Sequence, residues 1–112
     1  MSILDKAKSH YTNIINQEPI KVDIPEWDTV AYAKPSISLA KIGEIMELTN
    51  AGKSAEAMVM TIIYRLIDAE GNPVFRKADK SELLRSVDPD VLSRIITIIS
   101  ENTATDEDVA KN

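Results

Sequence analysis

The chain has 112 residues, 44% of them hydrophobic and 28% charged, with a formal net charge of −5. That length suits one domain with one core, and the acidic balance argues against nucleic acid, which is bound through a basic face. There is no cysteine, which excludes disulfides, thiolate zinc sites and a cysteine nucleophile.

The N-terminal MSILDKAKSH lacks the apolar core of a signal peptide, so a cytoplasmic setting is expected. Ser2-Ile3-Leu4-Asp5 has the form of a helix-capping box. Leu4, Ala7, Tyr11 and Ile14 or Ile15 follow at helical spacing, predicting a helix over about 3–16 with a buried stripe. Pro19 forbids its continuation. Ile20-Lys21-Val22-Asp23-Ile24 alternates apolar and charged residues, as a half-buried strand does. After Pro25-Glu26-Trp27-Asp28, a second strand is expected over 29–34, making a hairpin with the first.

Ser36 or Ser38 caps the next helix, about 38–50, whose apolar stripe is Leu39, Ile42, Ile45, Met46 and Thr49. Lys41, Glu44 and Glu47 are expected to face water. Asn50-Ala51-Gly52 ends it, with Gly52 free to take a positive φ. The run Ser54–Asp68, capped by Ser54, is the most apolar in the chain and has a helical period. It is apolar nearly all round, as a helix buried on more than one side is. It is too short and too charged to span a membrane.

Asp68–Pro73 is a turn by composition, and Val74-Phe75 a short extended bridge. Asp79-Lys80-Ser81-Glu82 reads as a capping box opening a helix over about 80–87. Asp88-Pro89 is the strongest boundary signal: a capping aspartate followed by proline at the first helical position. It opens a last helix over about 89–101. Its isoleucines are β-branched, so tertiary burial must hold it. The prediction is an α+β, mostly α fold: five helices, one hairpin, a globular domain over 1–101 and a mobile acidic tail over 102–112.

Few residues point to chemistry. His10 is the only histidine and has no partner at metal-ligand spacing. Asp88 and Asp90 are accounted for by capping and the helix dipole. Asp68–Asn72 lacks the spacing of a calcium loop. No glycine-rich phosphate loop is present. The expectation is a protein that is not an enzyme, with no metal and no cofactor. Trp27, the only tryptophan, has two readings: a lid folded over the core, or an exposed interface anchor, since tryptophan is enriched at binding hot spots. With Tyr32 on the following strand it forms the candidate partner-binding pair.

Taken in order, these segments resemble the small tail assembly chaperones of long-tailed bacteriophages. The resemblance rests on a short N-terminal helix before Ile24-Pro25-Glu26-Trp27, then Val30-Ala31-Tyr32-Ala33-Lys34-Pro35 leading into Ser38-Leu39-Ala40. Leu66–Phe75 with its Asp-Ala-Glu-Gly turn, a leucine pair and the helix Asp88–Ile99 follow. It covers roughly residues 1–100, with Asp28 where that family has a small residue before the strand. The resemblance implies a non-enzymatic protein that binds the tape-measure protein, helps recruit tail tube subunits, self-associates, acts in the cytoplasm of the infected bacterium and is absent from the mature virion. Many members of that family are made in two forms by ribosomal slippage, and Ala110-Lys111-Asn112 is compatible with such a slip. A head–tail connector or other structural tail component, and a small helical adaptor or regulator, are the alternative readings.

Overall fold

The computed structural model describes residues 2–102; of the tail predicted over 102–112, residue 102 is the last of a helix and residues 103–112 lie outside the described residues. Within them the order is α1 (Ile3–Ile15), β1 (Ile20–Ile24), β2 (Thr29–Ala33), α2 (Leu39–Asn50), α3 (Ser54–Arg65), β3 (Leu66–Ile67), α4 (Lys80–Arg85) and α5 (Pro89–Asn102). Short 3-10 turns at Pro25–Trp27 and Lys77–Asp79 connect β1 to β2 and precede α4. The class is α+β and mostly α, as the periodicities predict.

The hairpin forms as expected. β1 and β2 pair antiparallel with Val22 opposite Ala31 and Ile24 opposite Thr29. Val22, Ile24, Ala31 and Ala33 are buried, while Lys21 and Asp23 stand out to solvent, which is what a period of two imposes on a strand with one buried face. The connection turns through Asp28 at φ 52, a left-handed conformation that aspartate tolerates better than most residues.

The central helix differs from its sequence reading at both ends. Ser54 is its first helical residue and does not cap it; Lys53 precedes it with no side-chain bond. At the other end the helix stops at Arg65 and not at 68, because Leu66–Ile67 become a third strand. β3 pairs antiparallel with β2, Tyr32 opposite Ile67 and Ala33 opposite Leu66. The switch has a visible cause. The Lys34 amide donates to the Arg65 carbonyl at 2.8 Å, and the Arg65 guanidinium donates back to the carbonyls of Lys34 (2.6 Å) and Pro35 (3.0 Å). These bonds close the free edge of β2 at the expense of one more helical turn. Burial pushes the Arg65 pKa down, and the carbonyl contacts hold the cation in place.

The core lies between the sheet, α3 and α5, with Ile62, Leu66, Ile95 and Ile99 all but inaccessible. Ala57, Val59, Met60, Ile62 and Ile63 are buried on α3, so that helix is covered on several sides, as its apolar composition requires. α5 opens as read: the Asp88 carboxylate accepts from the Asp90 amide at 3.0 Å. α4 is shorter than read and ends at Arg85. Asp79 does not cap it; its carboxylate instead accepts from the Arg76 amide at 2.9 Å, within the preceding 3-10 turn. Asp68–Asn72 is a closed turn, the Asp68 carboxylate accepting from the amides of Glu70 and Asn72, both at 2.9 Å.

α1 and α2 depart most from expectation. Ser2 and Ser38 cap them as read, accepting from the amides of Asp5 (3.1 Å) and Lys41 (3.3 Å), and Gly52 takes φ 79 beyond α2. Their predicted buried stripes are not buried. No residue of α1 is buried by the rest of the described chain. On α2 only Ile45 and Leu48 lean on the core, with Leu39, Ile42 and Met46 turned outward.

Candidate partner-binding surface

Trp27 ends the turn between the two hairpin strands. Its ring is half-buried, packs on the core and meets the Phe75 ring edge to face, centroids 6.0 Å apart. The neighbouring Glu26 carboxylate is clamped by both arms of the Arg94 guanidinium on α5, one donating at 2.6 Å. That bond, with a backbone hydrogen bond, holds the Glu26 pKa at about 2. The turn carrying Trp27 is thereby fastened to the last helix. Tyr32 sits near the other end of the hairpin, opposite Lys21 and Ile67. By strand alternation it lies on the sheet face away from Ala31 and Ala33, and it is half-buried. The structure does not bring Trp27 and Tyr32 together.

The apolar surface the sequence reading missed lies on α1 and α2. Ile3 is 84% and Leu4 66% exposed on α1; Leu39 is 80% and Met46 56% exposed on α2. Leu39, Ile42, Met46 and Thr49 recur at three- and four-residue steps and therefore share one face. Tyr64 holds α2 in this orientation: its hydroxyl donates to Glu44, and the ammonium groups of Lys41 and Lys77 lie 5.1 and 5.5 Å from its ring centroid. The Tyr64 hydroxyl in turn raises the Lys77 pKa. Lys41, read as water-facing, is half-buried against this ring. The signal for an outward α2 face was present in outline, since the sheet, α3 and α5 already supply enough apolar residues for a core, but periodicity does not say which stripe is left over.

Between the second half of α1 and the start of α2 lies a groove of about 370 Å³. It is lined by Tyr11, Ile15, Ile37 and Ile67 together with the polar Lys34, Ser36, Ser38 and Lys41. Such a mix of apolar surface and a few polar groups suits a side chain of a partner. His10 is exposed on α1, and among the described residues no three of His, Asp and Glu are grouped to hold a metal ion. No helix among them is long and apolar enough to cross a membrane.

No protein-family model matches the chain, and no curated protein does. Among solved structures, the tail assembly chaperone of bacteriophage HK97 is similar, with a TM-score of 0.57 and 21% sequence identity. The match covers 73% of this chain and 85% of that one. At that identity the likeness is one of fold, over the covered part of the chain.

Proposed function

We propose that this protein is a tail assembly chaperone of a long-tailed bacteriophage. It binds the tape-measure protein, keeps that protein's apolar helices soluble, helps recruit tail tube subunits, and acts by binding alone. In this reading it self-associates, works in the cytoplasm of the infected bacterium and is left out of the mature virion. The observation that carries the proposal is the fold shared with the HK97 tail assembly chaperone over most of both chains. The exposed apolar faces of α1 and α2 support it, because a chaperone for apolar helices must present apolar surface of its own. The test is co-expression with the tape-measure protein of the same phage. Raised soluble yield and co-purification of the two are expected. A tape-measure protein equally soluble without this chain, and never recovered with it, would remove the proposal.

A further inference from the structure

We propose that the chain's own acidic segment Asp106, Glu107 and Asp108, with the valine that follows, docks in the groove between α1 and α2, where its carboxylates pair with Lys34 and Lys41 and Val109 seats among Ile15, Ile37 and Ile67. The docking does not depend on the chaperone reading. Three lysines among the described residues are half-buried: Lys34, Lys41 and Lys80. Lysine is seldom taken out of water without a partner. Lys80 has one, with Glu56 at 3.0 Å. Among the described residues, Lys34 and Lys41 have no carboxylate within ion-pair distance. Lys41 lies 5.1 Å from the Tyr64 ring centroid, a contact with one side of the ammonium that leaves donors free. Arg65, half-buried beside Lys34, gives its hydrogen bonds to the carbonyls of Lys34 and Pro35, which are uncharged. The groove lining thus carries two lysines and no acid, in a chain of net charge −5. Two acids of neighbouring segments are engaged elsewhere: Asp68 accepts from the amides of Glu70 and Asn72, and Glu44 from the Tyr64 hydroxyl. Residues 106, 107 and 108 supply three carboxylates in a row.

The described chain also ends in the right place. α5 begins beside Ala55 and Met58, at the start of α3, and α3 ends where the Arg65 carbonyl meets Lys34, so the two helices run the same way. Arg94 ties α5 to Glu26 at the turn of the hairpin, and the helix packs on β1. Its remaining eight residues rise about 12 Å, close to the roughly 13 Å that β1 covers between Ile24 and Ile20. Ile99 is still in the core, so the helix stays over the sheet. Asn102 therefore lies level with Ile20, at the open end of the hairpin, where Pro19 and Lys34 line the groove. Ile67 stands opposite Tyr32, which puts the groove on the sheet face away from α5. Passing round the sheet end means crossing two strand spacings, about 10 Å. The acidic run, four to six residues beyond Asn102, reaches about 13–20 Å when extended. Val109 follows directly, and the groove of about 370 Å³ has room for it. A partner that uses the groove has first to displace this segment.

The test uses the full chain without any partner. The chain has no cysteine, so engineered pairs report cleanly. Ile15→Cys with Val109→Cys puts one thiol in the groove and one on the docking segment. Asn13→Cys with Val109→Cys is the control: Asn13 is exposed and lies about 200° round α1 from both Tyr11 and Ile15. Both α1 positions are outside the core, and circular dichroism is expected to show unchanged folding. Oxidised glutathione then closes the disulfides, and a mixture of isotope-labelled and unlabelled chains, read by mass spectrometry, separates closure within a chain from closure between chains. Tethering alone raises the effective concentration for both pairs, so docking is read as a difference, with the Ile15 pair expected to close within one chain about tenfold faster than the Asn13 pair. Neutralising the segment (Asp106→Asn, Glu107→Gln and Asp108→Asn together) is expected to remove that advantage, as is Lys34→Gln with Lys41→Gln. High salt is expected to reduce it. Equal rates for the two pairs would overturn the proposal. So would an advantage that survives both sets of neutralising substitutions, or closure between chains only.

Discussion

Leu66 offers the sharpest check on the architecture. It is fully buried at the point where α3 gives way to β3, and it pairs with Ala33 across the sheet. Leu66→Ala removes three carbons, worth ~2.4 kcal/mol at about 0.8 kcal/mol per buried carbon. The cavity adds to this, and how much depends on how far the surroundings collapse. Here the cross-strand neighbour is an alanine held in the ladder, with no side chain long enough to move in. The expected cost is therefore in the upper part of the usual range, about 4 kcal/mol. A domain of this size is stable by roughly 5–15 kcal/mol, so the loss consumes a large share of it and lowers the melting temperature by roughly 15–30 °C. Urea denaturation followed by circular dichroism measures it. Leu39→Ala, on the exposed α2 face, is the control and is expected to stay within about 0.5 kcal/mol of wild type. A Leu66→Ala protein within about 1 kcal/mol of wild type would refute the reasoning, because no fully buried leucine in a rigid joint is that cheap.

Glu26 supplies a pH test. Its carboxyl is held at about 2 in the folded chain, down from 4.5. Stability from this group is therefore present above pH 4.5 and lost as pH falls from there toward 2. Arg94→Ala is expected to flatten the fall in denaturation midpoint across that window, and an unchanged pH profile would show that the clamp does not form in solution. Asp28→Val places a β-branched residue at a positive φ, and a loss of roughly 1–2 kcal/mol is expected by the same denaturation assay. Asp88→Ala removes the cap of α5 and is expected to cost about 1 kcal/mol, against no change if the helix is held by packing alone. Trp27→Ala uncovers Phe75 and the core edge. About 2 kcal/mol, roughly half the cost for a fully buried ring, is expected in thermal melts, whether or not the variant also weakens co-purification of the tape-measure protein.

The sequence alone determined the local elements. Alternation placed both strands of the hairpin, Asp88-Pro89 placed the start of α5, and the apolar run after Gly52 placed α3 at the centre. These signals are short-range: a cap, a proline or a repeat of two or three and a half residues acts through neighbours in the chain. The tertiary structure decided where those elements end and what covers them. Leu66 and Ile67 continue the helical period of α3, yet they extend as β3, because β2 offers an edge to pair with and Arg65 ties the junction to Lys34 and Pro35. The stripes of α1 and α2 are both amphipathic by spacing, and nothing in the spacing says whether the facing surface belongs to the same chain. That choice depends on the direction in which α1 leaves the sheet and on Tyr64 fixing the roll of α2. Contacts between residues distant in sequence set both, and so Leu39, Ile42 and Met46 came to face outward while Ile95 and Ile99, with the same periodicity, closed the core.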